Sequence, residues 1–190
     1  WDHPLQKKLR WLQTLFGQFD FMKSKWGIDG CGIPTYYGPI TSITHMWKSF
    51  LAVQDDDLFL KWCDELNLFG LSEKMFDATE LNQMRKALQR IIQAVQKYPL
   101  LIGGHQSLCS KIQQDFPSVA MIKIGAEGVY AGVLWRSNIA FTVKALDGAS
   151  RASQEAVLFL IQHLGQMTDD EKQLLNSKYH KPILNWAGVP

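Results

Sequence analysis

The stretch "SVAMIKIGAEGVYAGVLWRSNIAFTVKALDG", residues 118–148, decides the fold. It contains three runs of strand length that are rich in β-branched and aromatic residues and are separated by short turn-like pieces. Connections this short can only join antiparallel neighbours. The sequence therefore predicts a three-stranded antiparallel sheet in the second half of the chain.

Helical patterns flank this sheet on both sides. Before it, apolar residues recur at helical spacing in four segments, and after it in one more. The first helix is predicted to start at Asp2 and stop at Gly17, the second to start at Ser42, and the third to span about 56–68. The fourth is predicted to start at the capping box "DATE" (77–80) and to end before Pro99. The helix after the sheet is predicted to end at Gly165, and "TDDE" (168–171) is a second capping box. The apolar stripes are Leu5, Leu9, Leu12 and Phe16; Ile43, Met46, Trp47, Phe50 and Leu51; Met84, Leu88, Ile91, Ile92 and Val95; and Ala156, Val157, Leu160, Ile161 and Leu164. The predicted fold class is α+β, with an antiparallel sheet covered by helices.

Composition excludes several classes of protein. The 190 residues are 46% hydrophobic and 20% charged, with a net charge of +2, which fits one globular domain. No basic stripe interleaved with aromatics indicates a nucleic-acid partner, and no apolar run reaches the roughly 18 residues of a membrane span. Three irregularly spaced cysteines argue against a disulfide framework and predict a reducing compartment, the cytoplasm.

The segment "WGIDGCGIPTYYGP", residues 26–39, concentrates four glycines and two prolines around Asp29 and Cys31. It has neither helical nor strand period, so we expect an irregular loop, and such loops often carry function on a rigid scaffold. Cys31 is either a buried small apolar residue or one ligand of a metal. Asp29 is either a functional carboxylate or an Asx-turn residue that binds the loop's own backbone.

Lys123, in "MIKIGAEGVY", allows two interpretations. It is a solvent-facing strand lysine, or it corresponds to the lysine of the Lys-Thr-Gly strand that borders the acyl-transfer site of penicillin-recognising serine enzymes. In "LDGASRAS" (146–153), Asp147 or Ser150 is expected to cap the next helix, and Arg151 is an alternative carboxylate clamp. The five histidines form no pair with metal-ligand spacing.

Five motifs occur in one order from end to end of the chain: "DHPLQ" (2–6), "GIDGCGIPT" (27–35), "KIGAEGVY" (123–130), "DGASRAS" (147–153) and "ILNWAGV" (183–189). Together they resemble the asparaginase II family of the Rhizobium etli type. The resemblance implies part of a serine-β-lactamase and glutaminase-like, penicillin-binding-like fold. It implies hydrolysis of the side-chain amide of L-asparagine to L-aspartate and ammonia through a serine acyl-enzyme.

The resemblance also implies roles for single residues. Lys123 matches a catalytic lysine that pairs with a second active-site serine and helps hold developing negative charge. Cys31 matches a zinc ligand, and Asp29, Gly125 and Glu127 are expected to bind substrate. A homodimer is compatible with the resemblance.

Two departures from the family pattern shape these expectations. The family has a further N-terminal portion with a Ser-x-x-Lys motif and the other zinc ligands, and none of it occurs here. We therefore expect residues 1–190 to be the C-terminal portion of a single asparaginase II domain, inactive without that partner portion. At "GGHQSLCS" (103–110) the family has an arginine and often an acidic residue, where Ser107 and Cys109 stand here. The alternatives are a non-catalytic fragment or interaction module, and an amidase for another small amide such as glutamine.

Overall fold

The computed structural model describes residues 2–68, 77–179, 185–187 and 189. His180 and parts of the motif at 183–189 lie outside these residues. The elements are the helices α1 (Pro4–Gly17), α2 (Ile40–Ala52), α3 (Asp56–Leu68), α4 (Ala78–Lys97), α5 (Leu108–Asp115), α6 (Ser150–Leu164) and α7 (Asp169–Tyr179), the strands β1 (Trp26–Ile28), β2 (Pro34–Tyr36), β3 (Ala120–Ile124), β4 (Val129–Leu134) and β5 (Ile139–Lys144), and a 3₁₀ turn at Pro99–Ile102. The α+β prediction is confirmed.

The three strands of the second half form the predicted antiparallel sheet, in the order β3-β4-β5. β4 is central, so β3 and β5 are the two edges. Lys123 on β3 pairs with Ala131 on β4, and Ala131 pairs in turn with Thr142 on β5. Because side chains alternate along a strand, these three residues share one face of the sheet.

Each face of the sheet belongs to a different apolar cluster. Ile122 and Tyr130 pack with residues of α5, α6 and α7, among them Ile161. On the other face, Met121 and Val133 join a cluster supplied by the helices α1 to α4. Helices therefore cover both faces of the sheet. This agrees with the sequence of the strands, in which the side chains on both faces are apolar.

Two helix starts differ from the prediction made for them. His3, and not Asp2, caps α1, with its Nδ1 accepting from the Leu5 N–H at 3.2 Å. α2 begins at Ile40, and the Ser42 hydroxyl donates to the Pro39 carbonyl within the first turn. Pro39 already has extended backbone and has no N–H to satisfy, so the helix can start right after it.

The start of α6 also corrects a prediction, since neither Asp147 nor Ser150 is the cap. Ala149 is the N-cap residue, and the Asp147 carboxylate accepts the Ala149 N–H at 2.9 Å before the helix begins. Both capping boxes are confirmed. Asp77 and Glu80 bond each other's backbone at 2.8 and 3.0 Å, and Thr168 and Glu171 do so at 3.3 and 2.9 Å.

The apolar stripe of α1 is only partly a core stripe. Leu5 and Leu9 remain 55% and 42% exposed, whereas Thr14 and Leu15 are buried. α1 has its main contacts with α2, so its C-terminal half is covered and its N-terminal half is not. Amphipathic spacing identified the helix but did not determine how much of its stripe is covered.

The glycine-rich segment is a β-hairpin rather than an irregular loop. β1 and β2 pair antiparallel, with Trp26 opposite Tyr36 and Ile28 opposite Pro34. Each strand has only three residues, too short for strand periodicity to be visible in the sequence.

Among the described helices, none has both the length and the apolar content that crossing a bilayer would need.

Candidate functional site

The tip of the β1–β2 hairpin is organised by Asp29. Its Oδ1 accepts the N–H of Cys31 and the N–H of Ile33, both at 2.9 Å. Its backbone closes the turn as well, since the Asp29 N–H donates to the Ile33 carbonyl and the Gly32 N–H to the Asp29 carbonyl. The Asx-turn interpretation of this aspartate is therefore what the geometry shows.

These hydrogen bonds keep the Asp29 carboxylate charged. The Ile33 N–H lowers its pKa most, the Cys31 N–H and the Thr35 side chain lower it further, and desolvation opposes them. An exposed, ionised carboxylate at a hairpin tip can also bind a cationic group such as an amino acid's ammonium.

Cys31 is exposed at the same tip, so the buried, apolar interpretation is wrong for this cysteine. That interpretation does fit Cys63 and Cys109, which are both buried. A zinc site needs about four ligands. Across the described ranges, no three His, Cys, Asp or Glu side chains form a group that could hold a metal ion. Cys31 can supply one ligand, and the chain's described residues do not complete the site.

Two of the tip glycines have space around them. A Cβ placed on Gly27 or Gly30 would meet nothing within 4 Å, and only Gly32, at φ +75°, needs glycine for its backbone conformation. A groove of about 430 Å³ runs along the hairpin and past Asp29, with Trp26, Tyr36 and Tyr37 among its lining residues. The tip thus combines an exposed thiol, a carboxylate and an aromatic groove.

The second group of predicted residues lies where β3 turns into β4. Lys123 is exposed, and its Nζ donates to the carbonyl of the next residue, Ile124, at 3.1 Å. This geometry is that of a solvent-facing strand lysine. Gly125 begins the turn, with its N–H donating to the Val129 carbonyl at 2.8 Å.

Glu127 holds a backbone conformation that is uncommon for a residue with a side chain, at φ +55°. Gly128 follows at φ +67°, and a Cβ there would lie 2.9 Å from both the Ala145 Cβ and the Gly148 carbonyl carbon. A Cβ on Gly148 would in turn meet the Glu127 Oε2 at 2.6 Å. The "GAEG" and "DGAS" motifs therefore form one close-packed unit in front of α6.

A contact that sequence reasoning missed lies at the edge of β3 that does not pair with β4. The Ile124 N–H donates to the Sγ of Cys109, the second residue of α5, at 3.1 Å. Burial raises the pKa of the Cys109 thiol, against opposing contributions from the Ile124 N–H, the Ser107 side chain and the Lys123 charge. The divergent 103–110 segment is thereby joined to the end of the strand that carries Lys123. The only sequence signal was the departure from the family pattern at Ser107 and Cys109.

The comparison with known families agrees with these motifs. The model of a family described as L-asparaginase II matches residues 1–190. The chain belongs to the L-asparaginase II family. No curated protein matches the chain.

Membership of the L-asparaginase II family confirms the family resemblance and supports an amidohydrolase with an asparagine substrate. The structure places the predicted residues in two groups, with Asp29 and Cys31 on one hairpin tip and Lys123, Gly125 and Glu127 on another turn. Their individual roles stay predictions, as does the likeness to serine β-lactamases.

Proposed function

We propose that this chain forms part of an enzyme that hydrolyses the side-chain amide of L-asparagine to L-aspartate and ammonia. The observation that supports this most strongly is the family match over residues 1–190. The motifs at the two hairpins agree with it, because they place exposed ionic groups beside glycine-containing turns, of which the turn at Gly128 is close-packed and the turn at Gly30 is open.

The proposed chemistry is an acyl transfer in two steps. A serine oxygen attacks the amide carbon, the carbon–nitrogen bond breaks, and nitrogen leaves as ammonia after taking up a proton. Water then attacks the resulting ester, which releases aspartate and restores the serine hydroxyl. The serine and its base are expected in a Ser-x-x-Lys motif outside these 190 residues, as a further portion of the same enzyme.

Lys123 is the proposed catalytic residue of this chain. Its ammonium carries a full positive charge at an exposed strand edge, where it can stabilise the oxyanion that develops on the amide oxygen. Asp29, ionised at the hairpin tip, is proposed to bind the substrate's ammonium group. Gly125 and Glu127 are proposed to line the substrate at the turn after Lys123.

Cys31 is proposed to supply one thiolate ligand to a zinc ion whose other ligands come from outside this chain. When bound, zinc would provide Lewis acidity and a fixed positive charge close to Asp29. The described residues supply only this one ligand.

The test uses the full-length enzyme and measures ammonia release from L-asparagine and, separately, from L-glutamine. Lys123→Ala should lower kcat by about 10²-fold or more, the usual scale for one preorganised electrostatic group. Lys144 is a close control, since it is also an exposed strand-end lysine whose Nζ donates to the carbonyl of the next residue, Ala145. Lys144→Ala should leave kcat within about twofold.

Three results would count against the proposal. Equal kcat in the Lys123→Ala enzyme and the wild type would make Lys123 an ordinary solvated lysine. Faster hydrolysis of glutamine than of asparagine would make glutamine the preferred substrate. Both must be measured, because one methylene group changes the discrimination between two substrates by only about 1–3 kcal/mol. The absence of any ammonia release by the full-length wild type would favour an interaction module.

A further inference from the structure

The peptide groups of Ile124 connect a buried thiol with the exposed ammonium of Lys123. β3 is an edge strand, and Gly125 donates its N–H inward to the Val129 carbonyl. N–H groups of successive strand residues point to opposite sides, so the Ile124 N–H points away from β4. It donates instead to the Cys109 Sγ at 3.1 Å, while the Ile124 carbonyl accepts from the Lys123 Nζ at 3.1 Å.

Cys109 is a fixed partner rather than a reactive one. It is 0% exposed and belongs to the apolar cluster that contains Ile122 and Tyr130. A thiol held this way stays protonated and accepts a hydrogen bond weakly, but it cannot move aside. The α5 backbone therefore determines where the Ile124 N–H must point.

The end of β3 is held on its inner side by the bond from the Gly125 N–H to the Val129 carbonyl, and on its outer side by the Cys109 thiol. Past Ile124 the chain enters the turn that begins at Gly125, a residue with wide conformational freedom. If the acceptor at Cys109 were lost, the Ile124 N–H would be partly buried without a partner, and the backbone torsions of Ile124 would be less constrained. The Ile124 carbonyl, which belongs to the next peptide unit, would then shift and weaken its hydrogen bond from the Lys123 amine.

We propose that Cys109 is a positioning residue for Lys123, acting through the backbone on the two sides of the Ile124 Cα. The proposal rests on the proposed function in taking Lys123 to be catalytic. It assigns a role to the divergent 103–110 segment, whose Cys109 side chain fixes the strand end next to the site.

The experiment compares three variants of the full-length enzyme. Cys109→Ala removes the acceptor, Cys109→Ser restores one, and Cys109→Val fills the volume without an acceptor and replaces the alanine variant if that does not fold. Cys63→Ala is the matched control, because Cys63 is also a buried thiol, in the cluster on the other face of the sheet. Two readouts do not depend on turnover: hydrogen exchange of the Ile124 amide, and the rate at which acetic anhydride labels Lys123, read by peptide mass spectrometry.

In Cys109→Ala we expect Ile124 exchange and Lys123 labelling to accelerate by roughly 2- to 10-fold, the equivalent of one lost hydrogen bond. We expect kcat for asparagine to fall by about tenfold or more with a smaller change in KM, because a displaced charge stabilises the transition state less. Cys109→Ser should recover most of each change, and Cys63→Ala should show none of them.

Two outcomes would overturn the positioning role. One is unchanged Ile124 exchange and Lys123 labelling in Cys109→Ala. The other is that both accelerate while kcat stays at the wild-type value, which would leave Cys109 as a purely structural residue. If both accelerate and the wild-type enzyme hydrolyses no small amide, the Cys109–Lys123 link stands and the proposed function fails.

Discussion

Glu171→Gln should destabilise the protein at neutral pH and have little effect in acid. Arg136, in the turn between β4 and β5, donates to both oxygens of Glu171, at 2.7 and 2.8 Å. The same guanidinium donates to the Gln166 carbonyl at 3.1 Å and to the Ser118 hydroxyl at 2.9 Å. Arg136 therefore joins the start of α7, the loop before it and the segment that leads into β3 to the β4–β5 turn. Glutamine keeps the capping box at this position, so the substitution mainly removes the charge.

The magnitude follows from the pKa of Glu171. The hydrogen bond from Arg136 lowers it most, from 4.5 to about 2, with help from Thr168 and against some desolvation. At full strength that difference corresponds to roughly 3 kcal/mol. The Arg136 and Glu171 side chains keep 30% and 25% of their accessible surface, so water screens part of the interaction. We expect a loss of about 1–2 kcal/mol at pH 7.

The pH dependence has a definite sign. Because folding lowers the pKa of this carboxyl, its stabilising contribution is complete above about pH 4.5 and is lost as the pH falls towards about 2. Urea unfolding of wild type and Glu171→Gln, followed by circular dichroism at several pH values, should show a gap that narrows over this window. The control is Lys172→Gln, which removes a looser pair to the exposed Asp169 at 3.8 Å in the same helical turn and should cost less than about 0.5 kcal/mol. A loss in Glu171→Gln as small as the control's, or one that is equal at pH 7 and pH 3, would refute this reasoning.

Two further predictions concern the hairpins. Cys31→Ser should lower the zinc content of the full-length enzyme, measured by elemental analysis after dialysis, whereas the control Cys63→Ser should not. Equal zinc content in wild type and Cys31→Ser would rule out Cys31 as a ligand. Gly128→Ala should lower the free energy of unfolding, measured in urea, by about 2 kcal/mol or more, because Gly128 has φ +67° and an added Cβ would lie 2.9 Å from its neighbours. Gly30→Ala should change the free energy of unfolding by less than about 0.5 kcal/mol, because an added Cβ there would meet nothing within 4 Å. Similar losses in the two glycine variants would contradict the second prediction.

The sheet was predictable because each of its strands is long enough to show its own pattern. In β4, Tyr130 and Val133 face different clusters, and the apolar run they belong to is continuous, as expected for a strand covered on both sides. The capping boxes at Asp77 and Thr168 were predictable for a local reason, since all their partners lie within four residues.

Apart from the starts of α1, α2 and α6, the errors came from interactions that a local pattern does not determine. The β1–β2 hairpin has three-residue strands, and the burial of α1 depends on how much of it α2 covers. The exposure of Cys31 and the burial of Cys109 have the same explanation, because neighbouring elements and not neighbouring residues decide which thiol reaches solvent. Family resemblance supplied the candidate site residues that composition and periodicity left undetermined.

The contrast between Lys123 and Lys144 shows what the fold contributes to the candidate site. Lys123 is the second-last residue of β3 and Lys144 is the last residue of β5. Both are exposed, and both donate to the carbonyl of the following residue. The difference lies in the acceptor that holds the N–H of that following residue. The Ala145 N–H donates to the Gly128 carbonyl at 3.0 Å, whereas the Ile124 N–H donates to the buried Cys109 thiol of α5 at 3.1 Å. A preorganised charge needs this kind of support, because an ammonium that follows a mobile strand end would stabilise substrate and transition state alike. On this proposal, part of the catalytic contribution of Lys123 would depend on Cys109.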